Sequence, residues 1–125
     1  MQWYQYIQNN SGGSFEGPAH LVFIEAHSAS ESDGIAPEHG IYFDGCAFDM
    51  DCECCGDRWG TADHPYYSVD EDLCIDKSLY LVPYGQPGVL ARGVLGIWNP
   101  DAAALINRAQ VEIDAQIAAR KLAGR

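Results

Sequence analysis

From Trp3 to Gln8, aromatic and β-branched residues alternate with glutamines, so that Trp3, Gln5 and Ile7 share one face and Tyr4 and Tyr6 the other. A period of two predicts a strand. The next run, His20 to Ala26, is apolar almost throughout and predicts a central strand. Between them lies Asn9-Asn10-Ser11-Gly12-Gly13-Ser14, a string of turn formers, and the two strands are expected to form a hairpin. Ser28 can cap a segment rich in Ala, Ser and Glu that runs towards His39, and Gly34 and Pro37 make that helix short or broken. Ile41 to Phe43 predicts a third strand, and Ser78 to Val82 a further one closed by the turn from Pro83 to Gly88. Val89 to Trp98 is apolar but interrupted by Gly93 and Gly96, the pattern of a bulged strand.

The clearest periodicity comes last. Asn99 can cap, Pro100 suits a first helical turn, Asp101 suits the positive dipole end, and Ile106, Ala109, Ile113 and Ile117 recur on one face. Residues 100 to 123 are therefore expected to form one helix. The resulting fold class is α+β: a small antiparallel sheet packed by a long C-terminal helix, with a cysteine-rich loop between. At 125 residues and 47% hydrophobic content, the chain suits a single domain over 1–125. No apolar run approaches the roughly 18 residues of a membrane span, and the amino terminus lacks the basic and apolar regions of a signal peptide, so a cytoplasmic protein is expected. In a reducing compartment five cysteines are held as thiols or by metal rather than in disulfides.

Charge changes the picture of partners. The net charge is −11, and from Asp44 to Asp76 ten acids face one base, Arg58. Four of the seven bases, Arg108, Arg120, Lys121 and Arg125, lie in the last eighteen residues. An acidic middle repels phosphates, so direct nucleic-acid binding is disfavoured. It serves solubility, or imitates a nucleic acid towards a basic surface on another protein.

Candidate chemistry is concentrated in residues 49 to 60, which hold three cysteines, four carboxylates, Arg58 and Trp59. Cys52-Glu-Cys-Cys55-Gly56 has the C-x-x-C-G spacing of half a zinc knuckle. The remaining ligands would come from Cys46, Cys54, His64, Cys74 or, less favourably, His39; the alternative is that the thiols are small buried hydrophobes. Zinc or no cofactor are both open. Thiol redox chemistry is disfavoured because the surrounding acids raise thiol pKa values. An EF-hand fails: counted from Asp49, its sixth position is Cys54 and its twelfth Gly60, where glycine and glutamate are required. Four histidines, His20, His27, His39 and His64, permit a hydrolase without giving it a local signature. The Asn10, Ser11, Gly12, Gly13 turn lacks the lysine of a phosphate-binding loop. Asp57, Arg58 and Trp59 either tie their loop to the core or present a guanidinium and an indole to a partner.

The segments Gln8-Asn-Asn-Ser-Gly-Gly-Ser-Phe15 and Cys52-Glu-Cys-Cys-Gly-Asp-Arg-Trp59 resemble those of a family of short proteins encoded by tailed bacteriophages, for which no activity is established. The likeness also takes in Ile24-Glu-Ala26 and Gly40-Ile-Tyr-Phe-Asp-Gly45; Glu53 stands where relatives often have proline, which loosens the analogy to a zinc knuckle. What the resemblance implies is an infected bacterial cytoplasm and a small accessory protein that acts by binding. The leading expectation is a non-catalytic inhibitor of a host defence factor, directed at a host protein or a nucleotide signal, with Asn10 to Gly13, Asp57, Arg58 and Trp59 as its surface. A zinc-stabilised regulatory module and a small nucleotide hydrolase are the alternatives. A homodimer is compatible with all three.

Overall fold

The computed structural model describes residues 1–7, 17–48, 56–62, 78–93 and 99–123. Strand β1 (Gln2–Ile7) pairs antiparallel with β2 (Leu21–Ala26), as the two alternating and apolar runs predict. Helix α1 (Ala29–Ile35) follows and tightens into a 3-10 turn, Ala36–His39. Then come β3 (Leu79–Val82), β4 (Val89–Arg92), a 3-10 turn at Pro100–Ala102 and helix α2 (Ala103–Ala123).

The sheet order is β1-β2-β3-β4. It is mixed, not antiparallel: β2 and β3 run parallel, Leu21 opposite Leu79 and Ile24 opposite Val82. Parallel neighbours need a crossover, and α1 with the chain after it supplies one. Residues 41–43 lie in that crossover and form no strand. Gly40 enters them with φ 85° and Asp44 leaves them with φ 56°, both left-handed, so extended pairing is broken at each end. Ile41 is instead buried under the sheet. The predicted strand from Val89 to Trp98 is confined to β4 among the described residues, and 94–98 lie outside them.

Two apolar layers flank β2, and every residue of it is buried. On one side Trp3, Leu21, Phe23, Leu79, Leu81 and Ala91 meet Ala109 and Ile113 of α2. On the other, Tyr6, Val22, Ile24 and Val82 meet Ala36, Ile41 and Trp59. This explains the unbroken apolar run of β2, since alternate residues feed opposite layers. Ile113 of the predicted helical stripe is in the core; the side chains of Ile106 and Ile117 lie outside the described set. Among the described residues, no helix is long and apolar enough to cross a membrane.

Polar groups place α2 on the sheet. The Trp3 backbone N–H donates to Gln116 Oε1 at 2.9 Å, and Gln116 Nε2 donates to the Trp3 carbonyl at 2.7 Å. One carboxamide thus imitates a neighbouring strand along the outer edge of β1. The Trp3 indole N–H donates to Glu112, and the Arg108 guanidinium carbon sits 5.5 Å from the centroid of the Trp3 ring. At the far edge, the Asn99 N–H donates to the Ala91 carbonyl at 2.9 Å and its side-chain amide to the Leu90 carbonyl at 3.2 Å. Asn99 also caps the helical run, accepting from the Asp101 N–H at 3.0 Å.

Replacing Gln116 by methionine keeps bulk and helix propensity while removing both bonds to Trp3. We expect a loss of about 1–2 kcal/mol, seen as a lower urea midpoint with an unchanged m-value.

Candidate functional site

A groove of about 680 Å³ opens between α1 and the β3–β4 turn, lined by residues that include Glu31, Glu38, His39, Val82, Pro83 and Tyr84. Local chemistry builds each wall. Ser28 caps α1 by accepting the Glu31 N–H at 3.1 Å, and Glu31 Oε1 accepts the His27 N–H at 2.8 Å, a relative of the capping box. Glu31 Oε2 accepts the Tyr84 hydroxyl at 3.4 Å, and the Tyr84 ring meets His27 edge-on at 4.9 Å. The opposite wall turns at Pro83-Tyr-Gly-Gln86, where the Gln86 N–H returns to the Pro83 carbonyl at 3.1 Å and Gly85 takes φ 70°. A left-handed glycine at the third of the four turn positions is the signature of a type II turn.

His39, one of the lining residues, is in contact with Tyr80 of β3. The 3-10 turn stops at Gly40, whose N–H bonds back to Ala36 and Pro37. That stop leaves His39 Nδ1 3.4 Å from the Tyr80 hydroxyl. Tyr80 crosses directly over Gly88, where an added Cβ would fall 2.0 Å from its hydroxyl oxygen, so Gly88 is required by packing. Burial pushes the Tyr80 phenol above its ordinary pKa, which keeps it a neutral donor and acceptor at physiological pH. The groove is therefore lined by the carboxylates of Glu31 and Glu38 together with apolar Ile35, Val82, Pro83 and Pro87. Such a lining suits a cationic, partly apolar guest.

The residues singled out by sequence are distributed differently. Asn10, Ser11, Gly12, Gly13, Cys52, Cys54, Cys55, His64 and Cys74 lie outside the described residues. Cys46 is described, and its N–H donates to Asp57 Oδ1 at 3.0 Å. The Cys46 amide, then its thiol, hold the Asp57 carboxyl below the ordinary carboxylate range. Arg58 Nε donates to the Tyr42 hydroxyl at 3.2 Å. Trp59 is 1% exposed in the layer under β2, against Gly17, where a Cβ would fall 2.9 Å from the ring. Its indole ties the segment to the core instead of facing a partner, the structural alternative raised by the sequence. Among the described residues, no group of three or more His, Cys, Asp or Glu side chains is placed to hold a metal ion.

Two further clusters were not legible in sequence. The Tyr6 hydroxyl donates to Asp33 Oδ1 at 2.7 Å, which also accepts the Ala62 N–H at 2.8 Å; Ser32 Oγ, 2.7 Å from the same hydroxyl, must then be the donor to it. Ser78 Oγ accepts the His20 N–H at 2.9 Å and lies 2.7 Å from His20 Nδ1. Ser78 is buried, and its carbonyl takes the Leu21 N–H at 3.1 Å, so the pair aligns the starts of β2 and β3.

Fold and groove together define a small α+β protein with an acidic, aromatic-walled cleft. Residues 1–77 match the domain of unknown function DUF7296, more than half of the chain, and the protein belongs to that family. The matched residues include β1, β2 and α1; β3, β4 and α2 lie beyond them. No curated protein and no solved structure matches the chain at a significant level.

The Asp57 carboxyl carries a lowered folded pKa, so its contribution to stability is complete above the unfolded value near 3.9 and is lost as pH falls through the lower folded value. The stability difference between wild type and Asp57→Asn should accordingly be present at pH 7 and shrink as pH falls below about 3.9, measured by denaturant titration at each pH. Trp59→Ala should cost about 3–5 kcal/mol in the same assay, the range for a buried aromatic.

Proposed function

We propose that this is a non-catalytic binding protein which inhibits a host factor by seating a basic, partly apolar segment of that protein in the groove between α1 and the β3–β4 turn. The observation that carries the reading is the lining itself: Glu31 and Glu38 beside Tyr84 and His39, over Val82, Pro83 and Pro87, on a chain of net charge −11. Carboxylates attract lysine and arginine, and the exposed Tyr84 ring adds cation–π attraction. The same carboxylates repel phosphate, which makes a nucleotide signal the weaker of the two ligand classes. The likeness of Gln8 to Phe15 and Cys52 to Trp59 to tailed-phage proteins supports an infected bacterial cytoplasm as the setting. Structural zinc held by Cys52 and Cys55, with partners among Cys46, His64 and Cys74, would be a stabilising feature of the same protein.

Glu38 is exposed and its substitution should leave thermal stability unchanged, whereas Tyr84→Ser gives up the ring contact with His27 and the hydrogen bond to Glu31 and should cost about 1 kcal/mol without unfolding the chain. A host protein cross-linked to the wild-type chain in bacterial lysate should be recovered about tenfold less with Glu38→Lys or Tyr84→Ser, and less in high salt. Recovery indifferent to both substitutions and to salt would remove the groove from the function.

A further inference from the structure

The two carboxylates of the groove are not equivalent. Glu31 is committed at both oxygens: Oε1 accepts the His27 N–H at 2.8 Å and Oε2 the Tyr84 hydroxyl at 3.4 Å. Glu38, exposed on the 3-10 turn, has no hydrogen bond or ion pair among the described residues, so both of its oxygens are open to a guest. The Tyr84 residue is 39% exposed yet held at three points: its N–H donates to Glu25 Oε1 at 3.1 Å, its hydroxyl to Glu31, and its ring meets His27 edge-on. An exposed aromatic ring fixed before any guest arrives spares part of the ordering cost of binding.

We infer that the groove selects arginine over lysine as the cation of its guest, with the guanidinium paired to Glu38 and stacked on Tyr84. The inference rests on the groove being the binding site proposed above. An open carboxylate and a fixed ring in one groove match the two surfaces of a guanidinium: its forked N–H edge pairs with both carboxylate oxygens, and its plane stacks on an aromatic ring. A lysine ammonium uses the charge alone, and it gives up a stronger hydration shell to lie on the apolar lining of Ile35, Val82, Pro83 and Pro87. Glu31 adds negative potential but no open pairing edge, so the groove takes a single cation and not a run of them. Its volume of about 680 Å³ is that of a small-ligand pocket, room for the arginine and an apolar neighbour of an extended segment.

Amide NMR titration of the isotope-labelled full chain with three blocked tripeptides tests the inference. The probes are acetyl-Leu-Arg-Leu-amide, its lysine counterpart and its citrulline counterpart, which keeps the shape of arginine without the charge. The arginine peptide should shift the backbone amides of Glu38, His39, Tyr84 and Gly85 and bind about fivefold tighter than the lysine peptide, the margin of a cation stacked at an exposed site. The citrulline peptide should bind more weakly than either. Glu38→Gln should bring the arginine and lysine peptides to the same affinity while the amides of the sheet keep their wild-type positions. Equal affinity of these two peptides for the wild-type groove overturns the inference and leaves the groove as the binding site. An arginine preference that survives Glu38→Gln overturns it as well. Groove amides unmoved by all three peptides at roughly 5 mM, beyond the dissociation constant of a specific contact, overturn the inference and the site together.

Discussion

Trp3 is the point at which helix, sheet and groove are joined. Its backbone is gripped by Gln116, its indole N–H by Glu112, and its ring lies beside Arg108. Arg108 in turn donates to Glu25 Oε2 at 3.2 Å, and Glu25 Oε1 accepts the Tyr84 N–H at 3.1 Å. The hydrogen bond to Glu25 leads the effects that raise the Arg108 pKa, which keeps the guanidinium charged against a Glu25 side chain that is 11% exposed. A buried carboxylate with one partner removed is costly, which makes the chain from α2 through β1 and β2 to the β3–β4 turn a single mechanical unit. The turn it ends on is the wall of the groove.

Around that unit the sheet solves a common problem of small β structures. Four short strands leave two open edges, each a template for unwanted pairing. Here both edges are occupied by carboxamide side chains, Gln116 at β1 and Asn99 at β4. Gln116 gives β1 both a donor and an acceptor, as a peptide group would, and Asn99 gives β4 two donors, its backbone N–H on the Ala91 carbonyl and its side-chain N–H on the Leu90 carbonyl. Because both caps belong to α2 or its N-terminal turn, docking the helix and closing the sheet are the same event.

The groove is lined by none of Asp57, Arg58 and Trp59, the described site candidates of the cysteine-rich stretch. Density of reactive residue types drew attention to residues 49 to 60, yet Trp59 serves the core and Asp57 a turn at Cys46. The groove is made instead from ordinary residues of three separate segments, Glu31, Glu38 with His39, and Pro83 to Pro87. None of these forms a motif by itself. The readable trace was limited to the Ser28 cap and the Pro83 to Gly88 turn, both local devices, which set the two walls without revealing that they face one another.

By itself, the sequence determined what depends on near neighbours: the alternation of β1, the apolar run of β2, the capped start of α1, the Pro-Tyr-Gly turn and the Asn99 cap before α2. Those follow from side-chain period and backbone preference within a few residues. Only the tertiary structure decided that β3 lies parallel to β2, that Ile41 to Phe43 plug the sheet instead of extending it, and that Trp3 meets Gln116. Pairing direction and long-range partners depend on how two apolar layers are shared across β2, and no local pattern records which distant segment fills each layer.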